Sequence, residues 1–239
     1  MSLLVVSAHS ADFVWRAGGA IALHAARGIP VTVICLSYGE RGESAKLWRQ
    51  PGMTLERVKA ERQKEAEAAA KVLGVTDIQF WDLGDYPITL SEASLFRLVD
   101  VMRAVRPKVV LTHSKEDIYN HDHPAVTDFA QHARITAQAH GHRPEQKVLG
   151  APPVYLFEPH QPEQCNWKPD VLLGIDSAWA QKRAAIECMA GQEHLWEYYT
   201  RVALQRGAQA ARNSDKAVTY GEGYQSIFPH VVDTLLPSW

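Results

Sequence analysis

The chain has 239 residues, 46% of them hydrophobic and 22% charged, enough to bury a substantial core and unlike a disordered composition. A formal net charge of -2, with both signs interspersed, leaves no basic stripe for nucleic acid or an anionic membrane, so small-molecule chemistry is expected. The cysteines Cys35, Cys165 and Cys188 are odd in number and widely spaced, against a disulfide framework or a thiolate zinc site; with no signal pattern at the N-terminus and no apolar run of membrane-spanning length, they point to the cytoplasm.

Residues 3–6 form a short branched apolar run, 17–26 a small-residue helical pattern and 31–36 a second apolar run, which together read as a βαβ opening. The alternation continues with a long amphipathic helix over 55–73, a strand over 78–81, a helix over 92–105, a strand over 109–112, a helix over 124–139 and a strand over 154–157. Two further helices are expected over 178–189 and 194–205, and the Pro-rich stretches at 152–153 and 159–169 read as loops. Continuous apolar strands imply burial on both faces, so the expected fold is α/β and Rossmann-like, a mostly parallel sheet flanked by helices. With no repeat or flexible linker, residues 1–239 are expected to form a single domain. The Trp- and Tyr-rich C-terminal helices leave room for a homo-oligomer interface.

Ligands of open α/β sheets bind beyond the carboxyl ends of the strands. Polar residues gather at four such places: His9 to Asp12, Tyr38 to Glu43, His113 to His123, and Glu158 to His160. Taken singly, Asp12 is an ordinary helix N-cap and His123 a helix-start residue near Pro124. Taken together, at the ends of two strands expected to be neighbours, His9, Asp12 and His123 make the imidazole–carboxylate–imidazole set of a hydrolytic zinc site with one open position.

Seven segments occur in order: Ala8-His9-Ser10-Ala11-Asp12-Phe13, Ser37-Tyr38-Gly39-Glu40-Arg41-Gly42, Glu61-Arg62 to Glu65 with Leu73-Gly74, Asp85, His121-Asp122-His123, Met189-Ala190-Gly191-Gln192 and Tyr220-Gly221-Glu222. In this order the chain resembles the LmbE-like (PIG-L) zinc deacetylases. The resemblance implies Zn2+ as cofactor and gives the ligand roles to His9, Asp12 and His123. Position 11 departs from the pattern. The deacetylases carry there an aspartate that serves as general base, and the methyl group of Ala11 cannot accept a proton, a loss typically worth about 10²- to 10⁴-fold.

The stretch from Ser7 to Gly19, with Glu158-Pro159-His160-Gln161-Pro162-Glu163-Gln164-Cys165, resembles a hydratase branch of that family: the enzymes of gallate breakdown that add water to a double bond of 4-oxalomesaconate. Such a reaction implies a small polycarboxylate substrate and an acid/base pair. Glu40, the nearest loop acid, and His160, whose imidazole titrates near neutrality, are the expected pair. Arg41, Arg49 and Arg62 are candidates for binding carboxylates through planar bidentate contacts, and Tyr119, Asn120 and His121 for added hydrogen bonds. A zinc-dependent N-acetyl sugar deacetylase, with Glu40 as substitute base, is the alternative.

Overall fold

The apolar runs form strands because their branched side chains fill both faces of a sheet: β1 (Leu3–Ser7) and β2 (Val31–Cys35) are buried at every position. In the computed structural model, which describes residues 2–231, they join β3 (Asp77–Phe80), β4 (Val109–Thr112), β5 (Val154–Phe157), β6 (Val171–Gly174) and β7 (Gly221–Ser226) in one sheet of order β3-β2-β1-β4-β5-β7-β6. Met1 and residues 232–239, which close the span read as one domain, lie outside the described residues. The strands from β3 to β5 pair in parallel, and β7 runs antiparallel between β5 and β6.

Helices cover both faces. On one, α1 (Asp12–Ala26), α3 (Leu55–Leu73) and α6 (Trp179–Glu187) pack Phe13, Ile21, Leu73 and Ile186 against the sheet; on the other, α4 (Glu92–Val105) and α5 (Asp122–Gln138) bring Leu98, Met102, Val126 and Phe129. The short α2 (Ala45–Trp48) and the long α7 (Trp196–Arg212) complete the α-helices among the described residues. Helix ends follow local chemistry. Thr54 accepts the Arg57 N–H at the start of α3, Gly74 ends it in the left-handed region at φ 77°, and Ser91 and Ser94 cap α4 reciprocally. None of these helices is long and apolar enough to cross a membrane.

Three features differ from expectation. Helix α1 starts at Asp12 rather than at 17, because Phe13, Val14 and Trp15 are already buried. Strands β6 and β7 were not anticipated: the sequence of β7, Gly-Glu-Gly-Tyr-Gln-Ser, carries no apolar run, and its strand form comes from pairing on both sides. Glu222 of β7 also reaches into α1. Its carboxylate accepts the N–H groups of Gly19 (2.7 Å) and Ala20 (2.9 Å), the Lys182 ammonium (2.7 Å) and the Tyr224 hydroxyl (2.6 Å). Gly19 is needed there, since a Cβ would sit 2.7 Å from Ile175 and 2.9 Å from Glu222.

Strands β1 and β4 are neighbours, and the helices that follow them leave to opposite faces. The loops after these strands therefore open a crevice at the point where strand order reverses.

Candidate metal centre and active site

Strand β1 ends beside β4, where the Ala8 N–H donates to His113 Nε2 at 2.9 Å. The next residue, His9, is fully buried, and its N–H donates to Asp12 Oδ2 at 2.8 Å, closing a tight turn into α1. His9 Nδ1 then lies 3.2 Å from Asp12 Oδ2, 3.2 Å from Glu43 Oε1 and 3.3 Å from His123 Nε2. His123 stands in the first turn of α5, its Nε2 3.6 Å from Asp12 Oδ1. One ligand atom from each of His9, Asp12, Glu43 and His123 fits within 4.8 Å of the others. The far nitrogens of both imidazoles face carboxylates: His123 Nδ1 meets Asp117 Oδ2 at 2.8 Å, and His9 Nε2 faces Asp85 Oδ1 at 3.1 Å and Asp122 Oδ2 at 3.6 Å. Carboxylates behind imidazoles are the pattern that orients metal-ligating histidines.

The electrostatics are those of a site short of positive charge. Burial alone would lower the pKa of His9, but Glu43, Asp12, Asp122 and Asp85 together raise it well above the ordinary histidine value. Burial would raise Asp12, yet His123, His113 and His9 hold it well below the usual carboxylate range. His113 is pushed down by burial and by His123, so it is neutral, and accepting from Ala8 at Nε2 leaves its proton on Nδ1. Glu43 Oε2 is buried without a hydrogen-bond partner. Two imidazoles, two converging carboxylates and an unpartnered carboxylate oxygen fit a divalent cation of the zinc class.

Asp12, Glu43 and His123 of this group line a cavity of about 160 Å³ whose wall also includes Arg16, Asp117 and His160. His160 packs its ring 4.5 Å from that of Tyr198, with the Tyr119 ring edge-on at 6.2 Å, and burial with the nearby Arg16 lowers its pKa. Tyr119 and Asn120 also line the cavity; Asn120 Nδ2 donates to the Tyr86 hydroxyl at 3.1 Å. A larger concavity of about 670 Å³ at the opposite end of the sheet, beside Ser2, Pro30, Arg106 and Lys108, is lined by no carboxylate or imidazole among the described residues.

The remaining expected residues lie elsewhere. Glu40 is buried, but its carboxylate accepts the Tyr38 N–H at 3.1 Å and lies 3.8 Å from Lys59 Nζ, apart from the metal-type group. The loop after β2 turns back at Gly39, φ 68°, and this turn presents residue 43 rather than 40 to His9. Arg41 is exposed and engages the region only through its N–H, which donates to Asp85 Oδ2 at 2.6 Å. Arg49 and His121 are exposed and outside the cavity lining. Arg62 is fully buried, donating to Glu65 at 2.7 Å and Gln192 at 2.6 Å, a packing role that leaves it off the cavity wall. Sequence reasoning missed Glu43 and Arg16 as site residues. Both lay inside segments already singled out, and Arg16 follows Asp12 by four residues, one helical turn.

Residues 4–134 match the family described as PIG-L: GlcNAc-PI de-N-acetylase. Over 238 residues the chain is 62% identical to 4-oxalmesaconate hydratase of Pseudomonas putida KT2440, covering 98% of this chain and 92% of that one. The chain belongs to the PIG-L family. The crystal structure of GalB, the 4-carboxy-2-hydroxymuconate hydratase from Pseudomonas putida KT2440, superposes with a TM-score of 0.96 at 61% identity, covering 99% of this chain and 100% of that chain. A more distant solved structure, the N,N'-diacetylchitobiose deacetylase from Pyrococcus horikoshii, gives a TM-score of 0.79 at 21% identity, with 95% of this chain and 83% of that one covered. The α/β architecture expected from the apolar runs is thus the fold of this PIG-L chain.

Proposed function

We propose that this chain is a zinc-dependent hydratase that adds water across the carbon–carbon double bond of 4-oxalomesaconate, an unsaturated keto tricarboxylate, in the cytoplasm. The observation that carries this reading is a buried His9–Asp12–Glu43–His123 group facing a cavity with His160 on its wall, while Ala11 offers no carboxylate for amide hydrolysis. The full-length likeness to a hydratase supports it further. The deacetylase alternative has weaker support: a deacetylase of Acidothermus cellulolyticus is 32% identical over 58% of this chain.

His9, Asp12 and His123 would hold the metal. Zinc there supplies a Lewis acid, which eases removal of a water proton or polarises the substrate carbonyl. Asp117 and Asp85 fix the two ligating rings from behind. Glu43, whose Oε1 faces His9 and whose Oε2 has no hydrogen-bond partner, takes the water proton in place of the expected Glu40. A C–O bond forms at one alkene carbon, and the π pair moves to the adjacent carbon, where the conjugated acyl group spreads the charge. His160, across the cavity, delivers the proton that makes the new C–H bond. Burial and Arg16 disfavour its charged form in the free protein, and the negative charge of entering substrate carboxylates favours the imidazolium.

The test is direct. Zinc-loaded protein is mixed with 4-oxalomesaconate and the conjugated absorbance is followed. Decay that requires the metal and falls about 10²- to 10⁴-fold in Glu43→Gln supports the reading; no metal-dependent decay overturns it.

A further inference from the structure

The only arginine or lysine among the described residues lining the cavity is Arg16. It is buried in α1, where Nε donates to Asp12 Oδ1 at 3.4 Å and Nη1 to the Glu158 carbonyl at the end of β5 at 2.6 Å. Neither bond uses Nη2. Beside it, Trp15 and Tyr199 stack at 5.1 Å with planes 10° apart, so the backbone that carries the guanidinium is held by packed rings. A cation clamped at Nε and Nη1, with Nη2 in neither bond and a carboxylate-rich cavity before it, is preorganised for an anion. The surrounding acids point the same way. Asp12, Glu43 and Asp117 line the wall and repel a polyanionic ligand, and Arg16 is the one permanently cationic side chain among the described lining residues to offset them.

We infer that Arg16 binds one carboxylate of the substrate beside the metal and thereby selects polycarboxylates over neutral substrates. The inference rests on the hydratase reading for the identity of the substrate but not for the existence of the anion site. Because Nε also holds Asp12, one planar fork serves a metal ligand and a substrate at once. Lysine keeps the charge but lacks the planar fork, so it meets the two demands less well.

Two measurements separate the two ideas. Calorimetric titration of zinc-loaded protein with tricarballylate, an unreactive saturated tricarboxylate, is compared for wild type, Arg16→Gln and Arg16→Lys, with zinc content measured for each. The expected result is about 10- to 100-fold weaker binding in Arg16→Gln, with a smaller loss in Arg16→Lys. Tricarballylate binding equal to wild type in either zinc-loaded variant overturns the inference. Turnover is then compared for 4-carboxy-2-hydroxymuconate and for 2-hydroxymuconate, which lacks the branch carboxylate. For Arg16→Gln the loss is expected mainly in KM and should shrink on the substrate whose Arg16-bound group is missing. An equal fall in kcat on both, with tricarballylate binding intact, would make Arg16 a structural partner of Asp12 and overturn the anion role. If wild type binds tricarballylate through Arg16 yet hydrates neither compound, the hydratase reading fails while the anion site stands.

Discussion

Two of the charge clusters buried among the described residues, those around Glu222 and around His9, are built on opposite principles. Around Glu222 every demand is met from within: two carboxylate oxygens receive four donors, and Lys182 supplies the balancing charge. Around His9, five carboxylates (Asp12, Glu43, Asp85, Asp117 and Asp122) gather about two imidazoles, and Glu43 Oε2 has no partner. Burying charge without compensation is costly, so a cluster that closes on itself serves as scaffold, and one that remains acidic awaits a cation. Both act on the same helix. Glu222 fixes the middle of α1 while the first turn of α1 delivers Asp12 and Arg16 to the cavity.

The contrast can be broken from either side. The largest effect is expected at the acidic cluster: His123→Ala should lose both metal and turnover, and chelation should abolish turnover of the wild type until zinc is restored. Measurable hydration by stripped protein would remove the cation from the account. At the closed cluster, Glu222→Gln strands a buried ammonium, and denaturant melts should show a loss of about 3–5 kcal/mol. A variant as stable as wild type would mean that the pair is not structural.

The acid role of His160 predicts a pH profile. Its pKa in the free protein is lowered by burial and by Arg16, and the acid must be protonated, so kcat/KM should fall as pH rises, with its midpoint below the ordinary histidine value. In kcat, which reports the bound state, the same limb should move to higher pH. Persistence of that limb in His160→Gln would assign it elsewhere. The smallest effect belongs to Glu40→Gln, which keeps an acceptor for the Tyr38 N–H and stands apart from the metal-type group; kcat should change less than about tenfold, against the 10²- to 10⁴-fold loss of a true base. A loss in that larger range would restore Glu40 over Glu43.

What the sequence made legible follows from where its signals are local. The parallel core could be read because β1, β2 and β4 are continuous apolar runs and α3 and α4 carry their own caps. The convergence of His9, Asp12 and His123 could be read because strand ends are where open α/β sheets put chemistry. Hidden were the features fixed by tertiary context. That Glu43 rather than Glu40 faces His9 depends on the path of a loop through Gly39, and β7 is a strand only because β5 and β6 pair with it. Arg16 was obscured by placing the start of α1 at 17, which leaves residue 16 in a loop without a face.

The central claim is that His9, Asp12 and His123 deliver one catalytic cation to the β1/β4 crevice. Elemental analysis against turnover, in protein reloaded stepwise with zinc, tests it most directly. The account predicts hydration rising in proportion to occupancy and levelling at one ion per chain. Turnover independent of zinc content, or full loading in an Asp12→Ala/His123→Ala variant, would contradict it.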